Sequence, residues 1–294
     1  MSELEAVWET RAVLGEGPMW SARENAVYWV DIKRPALHRL HLGPHREHDV
    51  CTTWPMPERI GWVIERRSVQ SLVAGFKSGI AFIDVDAGTS EPLGGPEADV
   101  ASNRMNDAKA DAQGRIYAGT MDDAERKPTG KLYRLDPDRS LHVVDEDYIV
   151  SNGPAFSPDG RTIYSTDSAR RTVYALDVSD DGSLTNKRVF IEFGHAHGFP
   201  DGMTVDAEGC LWIGHWSGWR LSRFDANGRL MRAIGMPVAK ITSCTFAGKN
   251  LDRLFVTTAS IGLDEAALEQ QPLAGSLFEV DPGTTGLPTQ AYAG

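Results

Sequence analysis

Six short apolar runs recur along this chain at a nearly even spacing, and that period limits the possible folds more than any other feature. The runs are residues 27–30 (VYWV), 72–75 (LVAG), 116–119 (IYAG), 163–166 (IYST), 211–214 (LWIG) and 254–257 (LFVT), spaced by 45, 44, 47, 48 and 43 residues. Turn-forming stretches lie ahead of them. Asp111-Ala112-Gln113-Gly114, Ser157-Pro158-Asp159-Gly160 and Asp206-Ala207-Glu208-Gly209 are close variants of one another. Asp, Gly and Pro make tight turns because of their backbone preferences and local side-chain hydrogen bonds. A second strand-like run follows each first one, as at residues 37–40, 80–83, 132–135, 173–176, 221–224 and 277–280. Another apolar segment precedes several of the turns, as at residues 154–156 and 203–205.

Each unit therefore holds three strands, with room for a fourth. About 45 residues and four strands make one blade of a β-propeller. The expected architecture is all-β: a six-bladed β-propeller of four-stranded antiparallel blades around a central channel. Residues 1–294 are expected to form one domain, since no linker or low-complexity stretch divides them. The even period through the middle of the chain disfavours two separate β-sandwiches. The ring has to close, and Ala6-Val7-Trp8 is the expected outer strand of the last blade. Helix is expected only around residues 263–271, as one or two turns. The eight tryptophans are expected mostly in the core, because blades bury large rings between sheets.

Ten or eleven residues ahead of four of the six runs stand Glu16-Gly17-Pro18, Asn106-Asp107-Ala108, Asn152-Gly153-Pro154 and Asp201-Gly202-Met203. Taken singly, an Asn-Gly or Asp-Gly pair reads as a turn. Here, however, each unit already has its hairpin turn a few residues further on, and an oxygen-bearing side chain returns at one register in four units. The expectation is that these residues sit just before the innermost strand of their blades. There they would meet at the channel mouth, together with points near Gly61-Trp62 and Ser243-Cys244. Carboxylate and carboxamide oxygens without His or Cys favour calcium, magnesium or manganese, with zinc and iron(II) left open. Few protein ligands leave positions open for water and substrate, as in a catalytic centre, whereas a structural ion plugging the channel is the alternative.

Charge and cysteine content exclude other classes. The formal net charge is −11, which argues against a nucleic-acid or anionic-membrane partner. Cys51, Cys210 and Cys244 are odd in number and widely separated, so neither a zinc finger nor a disulfide framework is expected. The acidic first ten residues carry no apolar signal core, and no apolar run approaches membrane-helix length, so a cytoplasmic protein is expected. Nothing demands more than a monomer. The chain has no GxSxG elbow and no Walker A loop. His195-Ala196-His197 reads as a loop lining the pocket, since no third His or Cys stands near it. His215-Trp216 reads as an inner-blade or pocket wall, and Asp31 and Asp167 read as turn caps.

Leu14-Gly15-Glu16-Gly17-Pro18, Asn103-Arg104-Met105-Asn106-Asp107, Ser151-Asn152-Gly153, Pro200-Asp201-Gly202-Met203 and Thr242-Ser243-Cys244 resemble, in order, the motifs of the senescence marker protein/regucalcin and gluconolactonase family. The resemblance runs over nearly the whole chain and implies the same six-bladed fold. It also implies ligation of one divalent cation by Glu16, Asn152 and Asp201, substrate contacts from Arg104 and Asn106, and Asp201 as general base. The activity implied is hydrolysis of a sugar lactone such as a glucono-, xylono- or arabinono-lactone. An aryl-ester or organophosphate hydrolase and a non-enzymatic calcium-binding propeller are the other readings, because fold alone does not separate them. The acidic segment within residues 122–128 lies where relatives carry a lid, but it is short and poorly matched, and no residue of it is assigned a role.

Overall fold

The computed structural model describes residues 4–97 and 99–294. Among the described residues twenty-four strands form six separate four-stranded sheets, and hydrogen-bonded neighbours within each sheet run antiparallel. From the channel outward, blade 1 is Gly15–Ser21, Ala26–Asp31, Ala36–His41 and Val50–Pro55. Blade 2 is Ile60–Glu65, Leu72–Phe76, Ile80–Asp84 and Thr89–Gly94. Blade 3 is Asn103–Ala110, Ile116–Asp122, Gly130–Leu135 and Leu141–Tyr148. Blade 4 is Ser151–Phe156, Thr162–Asp167, Thr172–Val178 and Leu184–Glu192. Blade 5 is Phe199–Val205, Leu211–Trp216, Arg220–Phe224 and Leu230–Gly235. Blade 6 takes Ile241–Ala247, Arg253–Thr258 and Leu277–Val280 from the C-terminal part and its outermost strand, Leu4–Trp8, from the N-terminal part. Leu4 pairs with Val280 and Ala6 with Phe278, so the expected ring closure is present.

The six periodic runs are the second strands of the blades. Their side chains face neighbouring blades on both sides, which explains why they read as continuous apolar runs. Trp29, Trp62 and Trp212 are the largest fully buried side chains, and they fill the wedges between blades. Trp20 is buried too, Trp8, Trp54 and Trp216 are half-buried, and Trp219 is exposed. Asp31 accepts hydrogen bonds from the backbone N–H of Val13, Leu14, Lys33 and Arg34 at 2.8–3.1 Å. Asp167 does the same for Ile149 and Val150 at 3.0 and 3.3 Å. Each caps its own turn and also fixes the segment leading into its blade's innermost strand. The one α-helix among the described residues, Glu265–Gln270, is capped by Asp264, which accepts from Ala267 N at 2.9 Å.

The last fourteen residues, which no repeat foreshadows, form a strap across one end of the channel. Ala207 N donates to Thr285 O, Gly286 N to Leu251 O, Tyr292 N to Glu65 O and Ala293 N to Gly114 O, at 2.7–3.0 Å. The strap thus ties blade 6 to blades 5, 3 and 2. Tyr292 is fully buried beside Phe82 and donates to Asp136 O at 2.7 Å. Residues 287–290 floor a cavity of about 270 Å³ at this end. The other end is open.

Candidate active site

Glu16, Asn106, Asn152 and Asp201 lie inside the innermost strands of blades 1, 3, 4 and 5. The expectation that they precede those strands is corrected by one local device. Glu16 pairs with Val30 and Met19 with Tyr28, so Gly17 and Pro18 together oppose Trp29 alone. The same two-against-one step sets Asn106 and Asp107 against Gly119, Gly153 and Pro154 against Ser165, and Asp201 and Gly202 against Gly214. Blades 2 and 6 have one extra residue at this register, Gly61 and Thr242. All six innermost strands therefore bulge at one level. A bulge re-aims a side chain without ending the strand, which is why Asn-Gly and Asp-Gly here mark a bulge and not a turn. Gly17 and Gly153 take φ of +54° and +75°, the left-handed region that glycine enters at no steric cost.

Space and hydrogen bonding explain why only four blades offer an oxygen. A Cβ on Gly61 would stand 2.8 Å from Asn106 O, so blade 2 packs backbone against backbone. Thr242 spends its hydroxyl on Gly15 O at 2.5 Å.

One cavity of about 490 Å³ at the open end is lined by all five residues singled out in the sequence: Glu16, Arg104, Asn106, Asn152 and Asp201. All five are 3–5% exposed. A chain of hydrogen bonds fixes their orientation. Arg104 Nη1 donates to Asn106 Oδ1 at 2.5 Å, and Asn106 Nδ2 donates to Asn152 Oδ1 and Ser151 O, both at 2.7 Å. Asn152 Nδ2 donates to Ser168 Oγ at 2.9 Å, and Ser168 donates to Pro200 O at 2.6 Å. The chain runs from blade 3 to the residue before Asp201. It leaves Asn152 with its carboxamide oxygen turned toward blade 3 and a lone pair to spare.

Neither Glu16 nor Asp201 has an ion-pair partner among the described residues. Burial pushes the Glu16 carboxyl up to about 8, with Asp107 adding to the rise and the Gly17 N–H and Arg104 opposing it. Burial also raises Asp201 well above the carboxylate range, reinforced by Glu16, Asp107 and Glu125. Asp107 rises to about 6 through burial, offset by Lys109 and by hydrogen bonds from Ala108 N and Gly153 N. Carboxylates crowded in a dry site without a counter-charge are costly as anions, and a divalent cation removes that cost. The donor set fits such an ion: two carboxylates to neutralise it and a carboxamide oxygen as a third hard ligand. Among the described residues no three His, Cys, Asp or Glu side chains form a metal-holding group by themselves, so Asn152 is needed to complete this one.

Lys33, Ser168 and Phe199 line the cavity without a signal in the sequence; Asp123 and Glu125, from the acidic segment that was assigned no role, line it too, and Trp216 forms the pocket wall expected of it. Asp123 accepts from Arg104 Nε and Lys33 Nζ, both at 2.9 Å, and from the Arg59 guanidinium. Against its own desolvation, the bonds from Lys33 and Arg59 and the charge of Arg104 hold the Asp123 carboxyl well below its usual range. His195 and His197 form an exposed turn away from the cavity wall, so the pocket-lining expectation for them is corrected. His195 Nδ1 meets Arg171, and His197 O accepts from His215 Nδ1 at 2.8 Å. His215 is buried in the second strand of blade 5, and its neighbour Trp216 supplies the wall.

Comparison with known proteins agrees with this geometry. Residues 14–260 match the family model described as SMP-30/Gluconolactonase/LRE-like region. The chain is 32% identical to an L-arabinolactonase of Azospirillum brasilense, over 97% of this chain and 94% of that one. It is 31% identical to a 6-deoxy-6-sulfogluconolactonase of Pseudomonas putida, over 99% of each. The crystal structure of a calcium-binding protein, regucalcin, from Agrobacterium tumefaciens superposes with a TM-score of 0.91 at 26% identity, covering 98% of this chain and 96% of that one. With its six bulged innermost strands and its oxygen-lined cavity, the chain belongs to the SMP-30/gluconolactonase/LRE-like family.

Proposed function

We propose that this protein hydrolyses a sugar lactone to the open aldonic acid, using one divalent cation held by Glu16, Asn152 and Asp201. The observation that carries the reading is the pair of buried carboxylates without counter-ions, set in an open cavity beside Arg104 and Asn106. Lactonases among the most similar relatives, at about a third identity over nearly full length, support the same reaction class.

A lactone is a cyclic ester. Water adds to its carbonyl carbon, the ring C–O bond breaks, and the ring oxygen leaves as a hydroxyl. The cation, when bound, supplies Lewis-acid polarisation of the carbonyl and a lowered pKa for water. Asp201 lines the cavity where it can orient the attacking water and accept its proton. Arg104 and Asn106 position the sugar. The Arg104 guanidinium is locked by Asp123, Met105 O and Asn106, and Asn106 is locked by Ser151 O and Asn152. Positioning groups that are themselves fixed lose little entropy when substrate binds. Phe199 and Trp216 close one side of the cavity and limit water around the reacting ester.

The test is proton release over a panel of aldonolactones with the wild-type protein and Asp201→Asn. The variant is expected to keep its fold by circular dichroism and to lose about 10² to 10⁴ in kcat, the range for removal of a general base. Turnover near the wild-type rate would end this assignment.

A further inference from the structure

The open-end cavity has two unlike sides. On blade 3, Arg104, Asn106 and Asp123 set hydrogen-bond donors beside acceptors, a surface suited to sugar hydroxyls. Across the ring, blades 5 and 6 present Phe199, Trp216 and Ile261. Phe199 and Trp216 are partners on neighbouring strands. Ile261 joins them from the segment after the second strand of blade 6, where its N–H donates to Val13 O at 2.9 Å. The other large apolar residues that line the cavity, Leu14, Met121 and Val150, are buried in the fold, whereas Phe199, Trp216 and Ile261 are half-buried and keep surface for a ligand. Both rings are held by cations that do not themselves line the cavity. The Arg171 guanidinium lies over Phe199, 3.8 Å from the ring centroid, and meets His195 Nδ1 at 2.9 Å. The Lys240 ammonium lies over Trp216, 4.9 Å from the ring centroid, and donates to Ile261 O. The ring quadrupole attracts a cation placed over its face, so Arg171 fixes Phe199, and Lys240 fixes Trp216 and Ile261 together.

We propose that Phe199, Trp216 and Ile261 form a platform for the C–H face of the lactone ring, and that Arg171 and Lys240 are positioning residues that hold this platform from outside the cavity. This rests on the lactonase reading and adds to it the groups that select among lactones. A sugar lactone carries C–H groups as well as hydroxyls on its ring, and the C–H groups bury favourably against aromatic and aliphatic carbon. With its carbonyl directed at Glu16 and Asp201, the ring stands with one face against the platform and the other toward Arg104 and Asn106. A hydroxyl turned toward the Phe199 or Ile261 side chain finds neither donor nor acceptor there, so lactones that differ in configuration at one ring carbon are bound unequally.

The experiment measures kcat and KM for the D-pentono-1,4-lactones, which differ from one another only in configuration at C2 and C3. The wild-type protein is expected to spread its kcat/KM over these epimers by about tenfold or more. Trp216→Ala is expected to raise KM by about tenfold and to compress that spread, and Trp216→Phe to retain both. Lys240→Met and Arg171→Met leave every side chain that lines the cavity in place. Each is expected to raise KM by about threefold with kcat within about twofold of wild type, and Lys240→Arg to keep the wild-type KM. These two variants carry the test if Trp216→Ala does not fold. Equal turnover of all the epimers by the wild-type protein, or a KM indifferent to Trp216→Ala, Lys240→Met and Arg171→Met, would overturn the platform and leave the lactonase reading standing. No turnover of any lactone would overturn both.

Discussion

At Gly202 a Cβ would stand 2.3 Å from the Ser243 hydroxyl and 3.0 Å from Thr242 O. The innermost strands of blades 5 and 6 approach so closely there that only hydrogen fits, and this contact fixes where the preceding residue, Asp201, points. Gly202→Ala is expected to cost about 1–3 kcal/mol through overpacking and to weaken cation binding more than its stability loss accounts for. Urea unfolding and a cation titration of the same sample check this. Ser168 has a comparable role with no metal contact of its own. Ser168→Ala leaves Asn152 Nδ2 buried without its acceptor and costs about 1–3 kcal/mol. The Asn152 carboxamide is then free to rotate, so cation affinity is expected to fall while Arg104 and Asn106 stay in place. An unchanged dissociation constant would contradict the positioning role.

Among the elements, the second strands were legible from sequence because burial on both faces writes a continuous apolar run, and six such runs reveal a period. The ligand register was legible for the same reason: Glu16, Asn106, Asn152 and Asp201 repeat with the blades. Their place within the strands was not, because the bulge that turns each side chain inward is set by pairing with Trp29, Gly119, Ser165 and Gly214, residues well downstream. Lys33, Asp123 and Ser168 follow the second strands of blades 1, 3 and 4 by one or two residues but differ in type, so no repeated chemistry marked them in the sequence. The strap was illegible as well. Its contacts lie with residues such as Glu65, Gly114 and Ala207, far away in the chain. Tyr292 is its anchor, and Tyr292→Ala is expected to destabilise the protein by about 3 kcal/mol, as for other large buried rings. A loss below about 0.5 kcal/mol in urea unfolding would mean that the strap rests on the ring without holding it.

Across the whole molecule, pH and cation occupancy are linked through the buried carboxyls. Glu16 at about 8, and Asp201 raised well above the carboxylate range by burial and by its acidic neighbours, hold protons in the native state that the unfolded chain has already released above about pH 5. His38 and His215 act in the opposite sense: burial lowers both to about 4, so the unfolded chain binds more protons only below about pH 6.5. Between about pH 7.5 and 8 these two histidines are neutral in both states and the buried carboxyls decide the slope. There the native state binds more protons, so the cation-free protein is expected to lose stability as pH rises. Asp201→Asn should flatten that slope, and a bound divalent cation should remove it, since the ion supplies the missing charge. The measurement that bears most directly on the central claim is titration of divalent cations into chelator-stripped protein, with heat and lactone turnover followed on the same sample. The account predicts negligible turnover in the stripped protein, recovery that saturates at one cation per chain, and loss of both signals in Glu16→Gln and Asp201→Asn. Full turnover in stripped protein, or saturation unaffected by those substitutions, would contradict it.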